Sequence, residues 1–250
     1  MFEVLLLLGF IYLLFGLFQS AGDSGERKVS KKITSLIGKN SEYQSLDGLI
    51  LKTPDGTTQI DHLIVSPYGI FVIETKNLKG WIFGDEKKKQ WTQSLHTRTF
   101  GFSDSIKYQF QNPLHQNYKH IKAVQRFLDI DSKFIFNVVV FTGDSEFKTD
   151  MPDNVMELHN FSAHLKSYTE RVFSSESVAK FAQKLNNYAE NVSIDKFEHI
   201  RNIEQNLIKP ICPRCGKPMI LRTARKGSRV GSQFWGCPNF PACKATKNVA

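Results

Sequence analysis

The sequence has no cysteine in its first 211 residues and no acidic residue after position 204. The first absence excludes a disulfide framework for most of the chain. The second concentrates positive charge at the C-terminus, because nine basic residues lie between positions 205 and 250, whereas the first 204 residues carry 24 basic and 24 acidic side chains. The net charge of +9 therefore belongs to the C-terminal segment and predicts a polyanionic partner for it.

Long apolar runs are also scarce, and the exception lies near the N-terminus. Residues 4–18, VLLLLGFIYLLFGLF, contain no charged side chain. A membrane span takes about 20 apolar residues and tolerates about 17, so residues 1–20 are predicted to form a short transmembrane anchor. The cations that follow, from Arg27 to Lys32, favour a single-pass cell-membrane protein with its C-terminal domains in the cytoplasm. A cleaved signal peptide and a buried helix are the alternatives.

The four cysteines form two close pairs, Cys212 with Cys215 and Cys237 with Cys243. Two such pairs separated by a loop suit a tetrahedral zinc ion, and four thiolates leave no open position for catalysis. Gly216, directly after the first pair, permits the turn that points backbone N–H groups at the thiolates. We therefore predict a structural Zn²⁺ site in residues 210–250. Two disulfides in a secreted protein are the alternative.

The segment around these cysteines, CPRCGKPMILRTARKGSRVGSQFWGCPNFPACKAT, resembles the C-terminal zinc finger of bacterial type I DNA topoisomerases. The resemblance implies DNA as the partner, possibly single-stranded, with aromatic side chains for base stacking and cations for phosphates. The implied nucleic-acid-binding residues are Arg222, Arg225, Lys226, Arg229, Phe234, Trp235, Phe240 and Lys244. For Phe234 and Trp235, packing against the small zinc core is the alternative role.

The middle of the chain alternates helix and strand patterns. Apolar spacing predicts a helix from Glu26 to Gly38 and strands over 43–51, 57–65 and 70–76, joined by the turn signals KTPDG and SPYG. A helix follows from Asn112, with Pro113 at its first position, and then a buried strand, FIFNVVVF. Residues 141–209 are predicted to form a helical extension and linker. The order α-β-β-β-α-β indicates an α/β domain.

Acidic residues and a lysine stand at the ends of two of these strands. Strand alternation places Glu74 and Lys76 on one face, and the SPYG hairpin brings Asp61 onto the adjacent strand. Two neighbouring carboxylates favour a shared divalent cation, because otherwise their repulsion protonates one of them. Lys76 could then activate water or balance charge during attack on a phosphodiester. Glu26, on the apolar face of the first helix, could add a ligand.

The segments GER, TTQIDHLIVSPYGIFVIETKN, GWIFG, WTQ and NPLHQNYKHIK together resemble the nuclease-related (NERD) domain of the PD-(D/E)xK superfamily. The resemblance implies a restriction-endonuclease-like α/β core over residues 21–140. It also implies a catalytic site composed of Glu26, Asp61, Glu74, Lys76 and Gln116, with Asp61 and Glu74 as ligands of Mg²⁺ or Mn²⁺. We assign His62, His115 and His120 to packing or the surface, and Trp81 and Trp91 to the core.

The sequence thus predicts a membrane-anchored, metal-dependent nuclease that acts on DNA and holds it with a zinc ribbon. No small-molecule cofactor is expected. Two alternatives remain open at this point: a catalytically inactive protein that tethers DNA to the membrane, and a nuclease that acts on RNA.

Overall fold

The computed structural model describes residues 24–38, 40, 42–54, 56–99, 102–191, 210–224 and 230–248. These fall into two compact units, one within Met1–Ser193 and the other within Ile194–Ala250. The predicted anchor at residues 4–18 lies outside the described residues. Among those described, no helix is both long and apolar enough to cross a membrane.

A five-stranded mixed sheet forms the centre of the first unit, in the order β1-β2-β3-β7-β9. Strands β1, β2 and β3 are successive antiparallel neighbours, and β7 and β9 join in parallel. The strands are β1 (Gln44–Thr53), β2 (Gly56–Ser66), β3 (Gly69–Lys76), β7 (Ile135–Phe141) and β9 (Val155–Glu157). The predicted order of helix and strands is confirmed for the first three strands and for β7. The apolar runs of β3 and β7 are buried on both faces.

Helices cover both faces of this sheet. On one face, α1 (residues 24–37) and α3 (Phe161–Lys166) pack against β2, β3 and β7, with Val29, Ile33 and Phe161 in the core. On the other face lie α2 (Pro113–Leu128) and α4 (Ser175–Asn191), which contribute Val124 and Leu185. A short 3-10 helix, Ser132–Phe134, precedes β7. The unit is therefore a three-layer α/β structure.

Helix α2 begins where the sequence predicts. The side chain of Asn112 accepts a hydrogen bond from the Leu114 amide, and Pro113 occupies the first turn. Asn112 is fully buried, and its amide group also donates to the carbonyl oxygens of Asp85, Glu86 and Lys88. One side chain thus both caps the helix and holds the preceding turn against it.

A second sheet, which the sequence analysis did not predict, has three strands between β3 and α2 in the chain and a fourth that follows β7. It has the order β6-β5-β4-β8 and consists of β4 (Gly80–Phe83), β5 (Gln90–Thr99), β6 (Phe102–Gln111) and β8 (Ser145–Phe147). Ile82 and Trp91 are buried and join Leu114 and Phe141 in a third apolar cluster. The assignment of Trp81 to the core is wrong: its side chain is 36% exposed, with Lys148 Nζ 4.5 Å from the ring centre.

The second unit is a small antiparallel sheet beside the four cysteines. It comprises β10 (Ile220–Thr223), β11 (Gln233–Gly236) and β12 (Thr246–Asn248) in that order. Its apolar interior, in the described residues, is small and consists of Cys212, Cys237 and Cys243 with Met219 and Ala245, and Trp235 packs against them, whereas Cys215 is exposed. So little buried apolar surface is typical of a unit that depends on a metal ion for its stability.

Candidate active site and cysteine cluster

Asp61, in the middle of β2, and Glu74, near the end of β3, stand near each other on adjacent strands. The register of β2 and β3 runs to the pair His62 and Ile73, so Asp61 and Glu74 occupy the next position in each strand. Asp61 Oδ2 accepts a hydrogen bond of 2.8 Å from the Thr75 amide, directly after Glu74. The structure therefore brings together the two carboxylates that the sequence predicts as neighbours.

The pairing of β1 with β2 is irregular at Asp61. Pairing between β1 and β2 skips Gly48 and Asp61, and Gly48 has a left-handed backbone with φ of 64°. Leu46 and Leu49, three residues apart, both pack in the same apolar cluster, which strict alternation forbids. The simple face assignment that the sequence suggested for Asp61 is therefore insufficient, because β1 is distorted opposite it. Such irregularities are common beside active sites.

Glu74 and Lys76 form an ion pair that extends to α2. Lys76 Nζ lies 2.7 Å from Glu74 Oε1 and donates to Gln116 Oε1 over 3.0 Å. Glu74 is 2% exposed, whereas the Lys76 side chain is 20% exposed. Gln116, in the first turns of α2, therefore holds the ammonium group from the side opposite Glu74.

The other oxygen of Glu74 faces a histidine that the sequence analysis placed in packing or at the surface. His120 Nε2 lies 3.3 Å from Glu74 Oε2, and His120 Nδ1 lies 2.7 Å from Thr58 Oγ1. The approach to Oε2 lacks hydrogen-bond alignment, and no described residue donates an aligned bond to that oxygen. The four-residue spacing from Gln116 is the signal that could have revealed His120, since it places both on one helix face.

The two carboxyl groups differ in their electrostatic environment. Burial raises the pKa of Asp61 well above its usual value, and the charges of Glu74 and Glu26 raise it further. Burial also acts to raise the pKa of Glu74, but the contacts with His120 and Lys76 outweigh it and lower that pKa. Glu26, in the first turn of α1, thus adds its negative charge to that of Glu74, while the Thr75 amide and Lys76 act to lower the pKa of Asp61 but do not outweigh burial and the two acids.

His62 points away from this site, as predicted. It is 1% exposed, and its Nδ1 lies 2.7 Å from Asp47 Oδ1. Asp47 also accepts a hydrogen bond from Ser30 on α1. His62 therefore connects the sheet to α1 on the opposite face from α2.

Asn117 is a further buried polar residue that the sequence did not reveal. It is fully buried on α2, and its amide nitrogen lies 2.7 Å from Val72 O, 2.8 Å from Asn137 Oδ1 and 3.1 Å from Val138 O. These contacts bind α2 to β3 and β7 next to Gln116. Asn117 therefore positions the helix that carries Gln116 and His120.

The four cysteines of the second unit lie close enough to share one metal ion. Their sulfur atoms all lie within 4.8 Å of one another, with 3.7 Å between Cys212 and Cys243 and 3.3 Å between Cys215 and Cys237. A tetrahedral zinc ion with Zn–S bonds of about 2.3 Å requires sulfur separations of about 3.8 Å. A zinc ion could therefore bind here.

Backbone amide groups support these thiolates. Burial acts to raise the pKa of Cys212, but N–H groups of Arg214 and Cys215 and the neighbouring thiols lower it to about 7. Gly216 has φ of 68° and donates its amide to Cys212 O, which closes the predicted turn. Burial, together with the neighbouring thiols, raises the pKa of Cys237 to about 12. Such a proton-retaining thiol is one that a bound metal ion would deprotonate.

The predicted nucleic-acid residues of this unit differ in exposure. Phe240 is 59% exposed, with Arg222 Cζ 5.9 Å from its ring centre, whereas Phe234 and Trp235 are partly buried. Lys244 is exposed. Arg225, Lys226 and Arg229 lie outside the described residues. Phe240 is thus the most accessible of the three aromatic rings, and Trp235 contributes to the core around the cysteines.

Two family models match the chain. The nuclease-related domain matches residues 21–142, and the topoisomerase DNA-binding C4 zinc finger matches residues 209–250. The chain carries a nuclease-related domain and a topoisomerase-type zinc finger. Both resemblances drawn from the sequence are therefore confirmed.

All five residues of the candidate active site fall within the nuclease-related domain, and all four cysteines fall within the zinc finger. The matched range also includes β7, which pairs with β3 beside Glu74. The first match suggests a nuclease, and the second suggests DNA binding.

An uncharacterized protein of Bacillus anthracis is 44% identical to this chain over 105 residues. The aligned part covers 42% of this chain and 45% of that protein, so the chain spans less than half the length of this relative. No solved structure matches the chain.

Proposed function

We propose that the chain is a divalent-metal-dependent nuclease that hydrolyses DNA phosphodiester bonds and that its zinc ribbon binds the DNA. One observation carries the proposal: a partly buried Asp61 and a buried Glu74 lie close together on the adjacent strands β2 and β3, beside a lysine held by Gln116. The nuclease-related family match and a restriction-endonuclease-like core are consistent with this arrangement.

The donor atoms at the site suit Mg²⁺ or Mn²⁺. Both ions prefer hard oxygen ligands, and Asp61 and Glu74 supply carboxylate oxygens. Glu74 Oε2 is buried and lacks an aligned hydrogen bond from any described residue, as expected of an oxygen reserved for a cation. Glu26, whose charge reaches Asp61, completes the acidic shell. A bound divalent ion supplies Lewis-acid stabilisation of the charge that develops on the phosphate.

Lys76 supplies a positive charge from the protein itself, in addition to that of the divalent ion. Glu74 and Gln116 hold its ammonium group between them, so its position is fixed before substrate arrives. Because the side chain is partly exposed, it can donate a hydrogen bond to the attacking water or to a phosphate oxygen. Gln116 orients Lys76 and leaves its charge undiminished.

The zinc ribbon supplies affinity for DNA in this proposal. Its cations bind phosphates and release counterions, and Phe240 offers an exposed ring for base stacking. Residues 4–18 anchor the protein in the cell membrane, with both domains in the cytoplasm. Membrane fractionation of cells, followed by alkaline carbonate extraction, tests the anchor: release of the protein into the soluble fraction contradicts it.

The decisive experiment uses the purified full-length chain in detergent, with Mg²⁺ or Mn²⁺, on single-stranded DNA, duplex DNA and RNA. Asp61→Asn and Lys76→Met are expected to abolish cleavage while DNA binding persists. Glu176→Gln, which removes an exposed carboxylate of α4, is the matched control and should cut like the wild type.

The remaining outcomes of this experiment would each indicate a different function. Equal traces of cleavage by wild type and by Asp61→Asn, with intact DNA binding, contradict the nuclease and favour a DNA-tethering protein. Preferential cleavage of RNA, lost in both variants, retains the catalytic site and changes the substrate.

A further inference from the structure

We infer that His120 is a positioning residue for Glu74 and that Thr58 orients the imidazole ring for this role. The inference rests on the proposed function, because it assigns to Glu74 the binding of a divalent cation. His120 is 6% exposed, and its two ring nitrogens face Thr58 and Glu74. It therefore connects three elements of the fold: β2, α2 and β3.

Two residues of α2 restrain the two oxygens of the Glu74 carboxylate: Gln116 acts through Lys76, and His120 acts directly. Oε1 accepts a hydrogen bond from Lys76, which Gln116 holds in place. Oε2 lies 3.3 Å from His120 Nε2, one helical turn after Gln116. A carboxylate that is confined at both oxygens loses little further freedom when a cation binds, so less of the binding energy is spent on ordering it.

Thr58 determines whether His120 Nε2, the ring nitrogen that faces Glu74, carries the hydrogen of the neutral ring. Its hydroxyl lies 2.7 Å from His120 Nδ1. When the hydroxyl donates to Nδ1, the neutral ring carries its hydrogen on Nε2, toward Glu74 Oε2. His120 Nε2 lies 3.3 Å from Glu74 Oε2 without hydrogen-bond alignment. The ring therefore restricts the position of Oε2 and leaves this oxygen free to bind a cation. The neutral tautomer suffices for this role.

The packing of His120 alone does not explain these contacts. Ile121 and Val124 on the same helix already bury apolar surface against the sheet. A buried imidazole without polar partners would cost free energy. Both of its nitrogens instead lie near polar atoms, and one of these atoms belongs to a proposed metal ligand.

The test measures Mn²⁺ affinity by calorimetry on the zinc-loaded full-length chain in detergent. His120→Leu is expected to weaken Mn²⁺ binding about 10- to 100-fold, the usual effect of losing a group that supports a ligand. His120→Gln keeps an N–H donor near the position of Nε2 and should restore affinity to within about threefold of wild type. Thr58→Val should weaken binding as His120→Leu does, and Thr58→Ser, which keeps the hydroxyl, should not.

Thermal unfolding without Mn²⁺ separates positioning from folding. If His120→Leu and His120→Gln are equally weak in Mn²⁺ binding and equally destabilised, the role of His120 is structural and the inference is wrong. If His120→Leu does not fold, the pair Thr58→Val and Thr58→Ser decides. Equal Mn²⁺ affinity in those two variants overturns the inference.

The metal site itself is tested separately by Asp61→Asn. If the wild type and the Asp61→Asn variant bind Mn²⁺ with equal affinity, no metal site exists at these carboxylates. Both the proposed function and the inference then fail. Tight wild-type binding that is lost in Asp61→Asn but unchanged in His120→Leu contradicts the inference alone.

Discussion

Replacing Asn117 with leucine tests how α2 is held in place beside the candidate site. The side chain is fully buried, and its amide nitrogen contacts three acceptors: Val72 O, Asn137 Oδ1 and Val138 O. Leucine branches at the same carbon as asparagine and cannot donate a hydrogen bond, but it has a larger volume. Asn117→Leu therefore removes the donor, and any overpacking adds to the loss of stability.

The expected cost follows from the acceptors left without a partner. A buried polar group that loses its hydrogen bond costs about 1–3 kcal/mol. The amide carries two hydrogens for three acceptors, so about two bonds are lost, and the free energy of unfolding should decrease by about 2–6 kcal/mol. This is a large share of the roughly 5–15 kcal/mol by which domains are usually stable.

Urea denaturation, followed by far-UV circular dichroism, measures the change. Lys119→Leu, an exposed substitution on the same helix, is the matched control and should change stability by at most about 0.5 kcal/mol. Asn117→Asp supplies a second test, because a carboxylate places negative charge against three acceptor oxygens. It should be less stable than Asn117→Leu at pH 7 and should recover part of the difference at pH 4–5, where protonation restores a donor.

A decrease below about 1 kcal/mol for Asn117→Leu would refute the reasoning, since it would mean that the three acceptors find other partners. Equal stabilities of the leucine and aspartate variants at pH 7 would do the same. In either case the position of Gln116 and His120 would depend on the apolar contacts of α2 rather than on Asn117.

Three further predictions concern other parts of the chain. The purified protein should contain about one zinc ion per molecule by a colorimetric release assay, and Cys212→Ser should lose it; an unchanged zinc content would contradict the assigned ligands. Phe240→Ala should weaken binding of single-stranded DNA about 5- to 150-fold in fluorescence anisotropy, from the 1–3 kcal/mol of one stacked base, whereas Val230→Ala, also an exposed apolar residue, should not. Burial lowers the pKa of His164 below 6.5, and Asp153 opposes this shift; since the unfolded chain then binds a proton first, stability should decrease as pH falls below about 6.5, and His164→Gln should flatten that dependence in urea titrations from pH 7.5 to 5.5.

The sequence predicts the elements whose signals are local. The turn signals KTPDG and SPYG lie between long apolar runs, and these runs become β1, β2 and β3. Asn112 and Pro113 start α2 through contacts within one helical turn. The assignment of the four cysteines to one metal site follows from their spacing in the sequence. In each case the residues that determine the structure are close together in the chain.

The second sheet could not be predicted in this way. Strand β4 has four residues and depends on pairing with β8, which lies more than 60 residues later in the chain. Strand β5 is largely polar. Strand β6 alternates apolar and polar residues from Ile106 to Gln111, but Ile106 and Tyr108 are exposed, so this alternation does not mark a face packed on the core. Trp81, which the sequence analysis assigns to the core, instead contacts His96 and Lys148 at the surface.

The candidate site was predictable in part for the same reason. Asp61, Glu74 and Lys76 lie on one hairpin, so their presence on adjacent strands follows from residues close together in the chain, although the irregular pairing at Gly48 and Asp61 does not. His120 and Thr58 are 62 residues apart in the chain and meet only after α2 packs on the sheet. The contacts of Asn117 likewise require β3 and β7 to be paired beforehand. Support for the site thus comes from the tertiary structure, and the proposed reactive groups come from a local motif.

The burial along β3 explains why an acid and a lysine belong at the end of an apolar strand. From Gly69 to Glu74 every residue is buried, and Thr75 and Lys76 are partly exposed. Glu74 is therefore shielded from water while Lys76, two residues later on the same face, reaches the surface. In the proposed nuclease, an approaching phosphodiester would meet the ammonium group first, and Glu74 would act on it only through Lys76 or through a cation shared with Asp61. On that proposal, the end of β3 separates the group that would contact the substrate from the buried group that holds it in place.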